Sequence, residues 1–221
     1  MNYIISIIAP DSLGVLSKLC AEMKLPLTVA ARGKGTAVQS MLDLLGIETT
    51  EKRLVFTIAD TEKTKLFIKE QKRRLHIGVP GHGIVIAMPI KSIGGGKTLN
   101  YLKGEDSTLK YTPQINPDYE LITVIANEGA TDSVMNAARA AGAHGGTVIH
   151  AKGTGAKGSA KFYNVSIANE KEVILIVSAA EQKSQIMQSI LKKAGPDTDA
   201  GAIVFSLPVS EVAGFGFFDE D

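Results

Sequence analysis

The chain has 221 residues, of which 44% are hydrophobic and 21% are charged, so it holds enough apolar material for a core and is not an intrinsically disordered protein. Its 24 basic and 23 acidic residues give a formal net charge of +1, which argues against non-specific nucleic-acid binding. The lone cysteine, Cys20, excludes an internal disulfide and a cysteine-rich zinc site.

No apolar run approaches the roughly 18 residues of a membrane-spanning helix. Residues 1–5 lack the basic start of a signal peptide. We therefore expect a cytoplasmic protein that does not insert into membranes.

The first part of the chain has the order strand, helix, strand, strand, helix, strand. Residues 3–9 form a short β-branched apolar run, and residues 12–24 carry apolar side chains at helical spacing until Pro26 ends the pattern. Asp60 or Thr61 is placed to cap the second helix. The predicted strands are 3–9, 27–31, 52–59 and 84–90.

The second part repeats this order at a nearly constant offset. Ile4–Ala9 aligns with Leu121–Ala126 at an offset of about 117, and Met88–Ile90 aligns with Leu207–Val209 at about 119. The predicted elements of this copy are 120–126, 130–141, 146–151, 171–178, 180–193 and 202–209. The repeat predicts two domains, 1–95 and 119–221, joined by a linker at 96–118.

The order βαββαβ describes the ferredoxin-like fold, an antiparallel sheet with two helices on one face, so the predicted class is α+β with two such domains in tandem. Charge divides unevenly between the copies. Residues 1–95 hold 13 basic and 8 acidic residues, whereas residues 119–221 hold 8 and 12. Opposite charges suit mutual packing of the copies, and they are equally expected of solvated surfaces.

No histidine, cysteine or carboxylate pattern indicates a metal site or a catalytic group, so we predict a protein that is not an enzyme. Two glycine-rich elements are the better candidates for binding, because glycine lets backbone N–H groups approach an anion and nearby cations supply charge. Simple turns are the alternative explanation. The candidate ligand-binding residues are Arg32, Gly33, Lys34, Gly35, Gly81, Gly83, Lys152, Gly153, Thr154, Gly155 and Gly201.

These features together resemble the PII nitrogen-regulatory protein family over residues 3–93 and 120–214. Each copy has a strand ending in a basic-Gly-x-Gly element, as in Lys152–Gly155, then a long loop, a strand beginning near Glu-Lys, and a glycine loop before an apolar strand.

The resemblance implies a signal-transduction protein of nitrogen metabolism that regulates partner proteins through its loops, 36–50 and 156–169 here. It further implies a homo-oligomer such as a trimer. ATP, ADP or AMP, with 2-oxoglutarate, would be the ligands in clefts between domains or subunits, and no cofactor is required.

The chain departs from this family where cations are expected. Thr36 and Ala156 stand where an arginine usually follows the basic-glycine element, and Ile84 and Ala202 stand where a lysine usually follows the second glycine loop. Each missing cation removes charge-assisted hydrogen bonds of about 1.5–3 kcal/mol. The ligand therefore need not be that of the family.

Two alternatives remain open at the level of sequence. Ala9–Leu16 resembles the first strand-to-helix turn of ACT domains, which bind amino acids, and Asp11 and Gly14 would then contact the ligand. The second copy loses this spacing at Asn127–Ala130. A structural assembly module without a ligand is the other alternative, which the missing cations favour.

Overall fold

The computed structural model describes residues 1–25, 27–36, 50–79, 81–91, 115–153, 161–162, 165–166 and 169–215. The chain divides into two compact units. Unit 1 contains Met1–Arg32, Gln39–Tyr119 and Pro208–Asp221, and unit 2 contains Gly33–Val38 and Glu120–Leu207. Each unit thus includes a short segment from the other part of the sequence. The division into contiguous domains 1–95 and 119–221, with a linker at 96–118, stays a prediction from the sequence repeat.

Unit 1 is an antiparallel sheet with helices. Its elements are β1 (Asn2–Ile8), a 3-10 turn (Pro10–Ser12), α1 (Leu13–Glu22), most of β2 (Thr28–Gly35), β3 (Glu51–Ala59), α2 (Thr61–Leu75), β4 (Gly83–Pro89) and β11 (Glu211–Ala213). The strand order is β2-β3-β1-β4-β11. Strand β1 runs antiparallel to β3 and β4, and β11 runs antiparallel to β4.

Alternation along β1 explains why both helices of unit 1 lie on one face of the sheet. Ile4 and Ile8 are fully buried and share one hydrophobic cluster with Leu16 of α1 and Phe67 of α2. Helix α2 begins where the side chain of Asp60 accepts a hydrogen bond of 2.8 Å from the Lys63 N–H, as an N-cap does.

Unit 2 has the same element order with additions. Its elements are most of β5 (Tyr119–Asn127), α3 (Thr131–Arg139), β6 (Thr147–Gly153), β7 (Lys161–Phe162), β8 (Val165–Ser166), β9 (Asn169–Ala179), α4 (Ala180–Ala194), most of β10 (Ile203–Pro208) and the end of β2. The strand order is β10-β5-β9-β6, with β2 next to β6. Strands β7 and β8 form a separate antiparallel pair within the predicted loop 156–169.

The core of unit 2 uses β-branched residues on the sheet and alanines on the helices. Ile122, Ile174 and Ile176 are fully buried beside Val134 of α3 and Ile186 of α4. Small residues let the two helices approach closely. The Ser189 hydroxyl of α4 donates a hydrogen bond of 2.7 Å to the Ala137 carbonyl of α3.

The predicted α+β class with antiparallel sheets and ferredoxin-like element order is confirmed. The origin of the two copies by duplication stays a prediction. Three predicted segments lie partly outside the described residues: 37–49 of the first loop, 96–114 of the linker, and 156–160, 163–164 and 167–168 of the second loop. Among the helices that are described, none combines the length and the apolar character required to cross a bilayer.

Candidate functional site

The basic-glycine element of the first copy is part of a strand. Lys34 and Gly35 pair antiparallel with Val148 and Thr147 of β6. Thr36 then fixes the strand end, because its N–H donates to the Gly146 carbonyl at 3.0 Å and its hydroxyl accepts from the Gly146 N–H at 2.8 Å. This segment therefore has a structural role in unit 2, while Arg32 and Lys34 keep exposed side chains.

The matching element of the second copy ends β6. Lys152 and Gly153 pair with Glu170 and Asn169 of β9. The Lys152 ammonium lies 3.2 Å from Glu170 Oε1, and both side chains are well exposed. An exposed ion pair of this kind is weak, so Lys152 remains accessible to a competing anion. The predicted residues Thr154 and Gly155 lie outside the described part of the chain.

The two basic-glycine elements do not meet within unit 2. Gly35 pairs with Thr147 at the start of β6, whereas Gly153 is the last residue of that strand. Six residues of extended strand separate the two positions by about 20 Å. One small ligand therefore does not contact both elements.

The glycine loop before β10 lies at the same end of the unit 2 sheet as Lys152. The Asn127 N–H donates to the Ala200 carbonyl at 2.9 Å, and the Asn127 side-chain amide donates to the Asp199 carbonyl at 2.8 Å. The Lys171 ammonium also donates to the side-chain oxygen of Asn127. Gly201 completes this loop with a φ of 55°, in the left-handed region.

A cleft of about 350 Å³ opens beside this loop, between the start of α3 and the chain that follows α4. Its lining residues are Glu128, Gly129, Ala130, Ser133, Lys193, Thr198, Asp199 and Ala200. The cleft thus offers one ammonium, two carboxylates and two hydroxyls to a ligand. This mixture suits a small polar molecule better than a highly charged anion.

The turn that forms one wall of the cleft is held by a buried carboxylate. Glu172 of β9 is only 4% exposed. It accepts hydrogen bonds from the Gly129 N–H at 3.1 Å, the Thr131 N–H at 2.9 Å and the Thr131 hydroxyl at 2.7 Å. Ala130, the residue before α3, has no side chain that could cap the helix. The carboxylate of Glu172 on β9 takes that place and accepts hydrogen bonds from N–H groups at the start of α3.

In unit 1, the predicted residues Gly81 and Gly83 have structural partners. The Lys52 ammonium donates a hydrogen bond of 3.2 Å to the Gly81 carbonyl, and burial lowers the pKa of Lys52. A Cβ placed on Gly83, whose φ is 143°, would lie 2.3 Å from the Ile7 carbonyl oxygen. Any side chain at position 83 would therefore collide with the backbone of β1, so this position requires glycine.

The cleft was not predicted from the sequence. Its charged groups, Glu128, Lys193 and Asp199, are not among the predicted ligand-binding residues, which belong to the basic-Gly-x-Gly elements and the glycine loops. Gly201 is the predicted residue next to the cleft, since it follows the lining residue Ala200. The assignment of the eleven candidate residues to ligand binding stays a prediction.

A comparison with protein families finds one match in the second part of the chain. Residues 119–215 match the family model described as nitrogen regulatory protein P-II. Residues 119–215 are a divergent PII-like domain. This PII-like domain contains every residue that lines the cleft. No curated protein sequence matches the chain.

Solved structures give distant matches. The PII protein of Arabidopsis thaliana bound to citrate is 20% identical with a TM-score of 0.35, and the match covers 43% of this chain and 78% of that chain. GlnK of B. subtilis in its ATP complex is 12% identical with a TM-score of 0.36, covering 45% and 96%. A protein of unknown function from Galdieria sulphuraria is 8% identical with a TM-score of 0.30, covering 94% and 98%.

Proposed function

We propose that this protein is a regulatory signalling protein of the PII type, which senses a small ligand in the cleft of its PII-like domain and has no catalytic turnover. The match of residues 119–215 to the P-II family model carries this proposal, because the matched span contains the whole cleft.

The charges of the cleft favour a ligand with few negative charges. Lys193 attracts an acidic group, whereas Glu128 and Asp199 repel additional ones and accept hydrogen bonds from hydroxyl or amino groups. Among adenine nucleotides, AMP therefore suits the cleft better than ATP. 2-Oxoglutarate carries about the same charge as AMP but has no hydroxyl or amino group to donate a hydrogen bond to Glu128 or Asp199, so we expect it to bind more weakly.

Regulation of a partner protein in nitrogen metabolism, cytoplasmic location and assembly into a homo-oligomer belong to the same proposal. The predicted loops 36–50 and 156–169 would contact the partner. In the second of these, β7 and β8 form a short antiparallel pair, which gives that loop a defined element of structure to present.

Calorimetric titration with AMP, ADP, ATP, 2-oxoglutarate and a panel of amino acids tests the proposal. We expect AMP to bind most tightly and Lys193→Gln to weaken its binding about tenfold or more, because one charge-assisted hydrogen bond is lost. Lys192→Gln is the matched control, since Lys192 is the exposed neighbour on α4 and does not line the cleft. Equal loss in both variants would contradict binding in the cleft.

The other results separate the alternatives. Amino-acid binding that disappears in Asp11→Asn would favour the ACT-like function; Asp11 lies exposed in the 3-10 turn after β1. Failure of every ligand to bind would favour a structural module. Release of phosphate or AMP from ATP during prolonged incubation would show that the protein is an enzyme after all.

A further inference from the structure

Helix α2 of unit 1 carries a concentration of positive charge. Within Thr61–Leu75 it has two acidic residues, Glu62 and Glu70, against six basic ones. The basic residues are Lys63, Lys65, Lys69, Lys72, Arg73 and Arg74. The helix therefore has a net charge of +4 over about four turns.

One flank of α2 is neutralised by acids. Arg73 Nη2 lies 2.6 Å from Glu70 Oε2, and Arg74 binds both Glu70, at 2.8 Å, and Glu22 of α1, at 2.6 Å. The hydrogen bonds from Arg73 and then Arg74 lower the pKa of Glu70 to about 2. Because Glu22 belongs to α1, this flank faces α1.

The opposite flank carries lysines at helical spacing. Lys65, Lys69 and Lys72 lie at i, i+4 and i+7, on the side turned away from the flank that faces α1. Lys65 and Lys69 are exposed, and among the described residues neither forms an ion pair. We call Lys65, Lys69 and Lys72 the lysine flank. Helix α2 packs on the sheet against β1, β3 and β11, and the lysine flank is on the side of the helix away from α1.

The chain leaves β11 at the end of this same helix. Strand β11 is the edge strand of unit 1, and Gly214 follows it with a φ of 82°. A Cβ placed on Gly214 would lie 3.1 Å from Ile77 Cγ2, and Ile77 comes two residues after α2. Beyond Phe215 the sequence continues Gly-Phe-Phe-Asp-Glu-Asp.

We propose that the acidic segment Asp219–Asp221 docks on the lysine flank of α2. Its acids come four to six residues after Phe215, a reach of about 13–20 Å for extended chain. Lys69 and Lys65 lie six and ten residues before the end of α2, which is about 9 and 15 Å along the helix axis. The segment is thus long enough to bring its carboxylates to the ammonium groups of Lys65 and Lys69.

Docking of this segment shields α2 from other acidic molecules. A short tether gives the acids an effective concentration in the millimolar range, which offsets the weakness of each exposed ion pair. The contact is expected to weaken as salt rises. This inference concerns unit 1 and is independent of the ligand proposed for the cleft of unit 2.

Zero-length carbodiimide cross-linking of the full chain, followed by mass spectrometry of peptides, tests the docking. We expect amide links from Lys65 and Lys69 to residues 219–221, a several-fold decrease in 0.5 M NaCl, and loss of the links in the triple variant Asp219→Asn, Glu220→Gln, Asp221→Asn. Lys63 is the matched control, because it is an exposed lysine of the same helix outside the lysine flank.

Two results would overturn the proposal. The first is linkage of residues 219–221 to Lys63 as often as to Lys65 and Lys69, or no linkage to the lysine flank. The second is linkage only between chains in a mixture of isotopically light and heavy protein, which would assign the contact to a second copy. As an independent readout, Lys65→Gln with Lys69→Gln should shift the amide resonances of residues 219–221, whereas Lys63→Gln should leave them unchanged.

Discussion

At the scale of single residues, Glu172 connects the core of unit 2 to the cleft. A carboxylate that is 4% exposed would be costly without partners, and three donors from the turn after β5 satisfy it. The same contacts fix the backbone of Gly129, one of the lining residues. Stability of the fold and shape of the cleft therefore depend on one side chain.

We expect Glu172→Gln to lower the free energy of unfolding by about 1–3 kcal/mol. Both carboxylate oxygens of Glu172 accept hydrogen bonds, whereas the side-chain amide of glutamine has one oxygen and one NH2 group. That NH2 group would face a backbone N–H or a hydroxyl that then lacks its acceptor. Urea titration measures the change. Glu170→Gln, two residues earlier and 44% exposed at its side chain, is the control and should change stability by less than about 0.5 kcal/mol. Equal effects of the two variants would show that the buried hydrogen bonds contribute little.

At the scale of secondary-structure elements, local sequence predicted most of the fold. Apolar spacing located α1 and α4, and the Asp60 cap marked the start of α2. Strand β2 extends to Gly35, beyond its predicted end at residue 31, because pairing with β6 holds the glycines extended. Strand β11 was not predicted. It has only three residues, and they form a strand because they pair with the edge strand β4.

The cleft was not predicted either, because it also forms from residues that are far apart in the sequence. Glu128 and Lys193 are 65 residues apart in sequence, and nothing local to either residue shows that the turn after β5 meets the end of α4. Glu172 reads as a polar residue in a strand, and its burial follows only from the position of α3. Long-range packing, which a single sequence does not display, determines both features.

Two glycines of unit 1 differ in the space that a side chain would have, and they provide a test at this scale. We expect Gly83→Ala to lower the free energy of unfolding by about 1–3 kcal/mol, because its φ of 143° and the Ile7 carbonyl oxygen both oppose a Cβ. Gly14→Ala should instead raise it by about 0.5–1 kcal/mol, since Gly14 lies in α1 and a Cβ there meets no atom within 4 Å. Thermal unfolding of both variants measures the difference, and two changes of the same sign would be inconsistent with this account.

At the scale of the whole molecule, the order of the chain and the composition of the units differ. Unit 1 completes its sheet with residues that follow unit 2 in sequence, and unit 2 receives the end of β2. A unit of this kind depends on segments that a contiguous repeat would not include. The stability of unit 1 is therefore linked to the integrity of a segment more than a hundred residues away in sequence.

Removal of residues 209–221 from the full chain tests this dependence. Val209 and Ala213 are fully buried, and the Ala87 carbonyl accepts hydrogen bonds from the Ser210 N–H at 2.7 Å and the Ser210 hydroxyl at 3.1 Å. Loss of the Val209 side chain alone removes about 1.5–3 kcal/mol, so we expect unit 1 to lose at least about 2 kcal/mol and the amides of β4 to exchange faster with deuterium. The control deletes residues 216–221, keeps β11 and should leave the exchange of the β4 amides unchanged. Unchanged exchange in β4 after the longer deletion would mean that β11 does not stabilise unit 1.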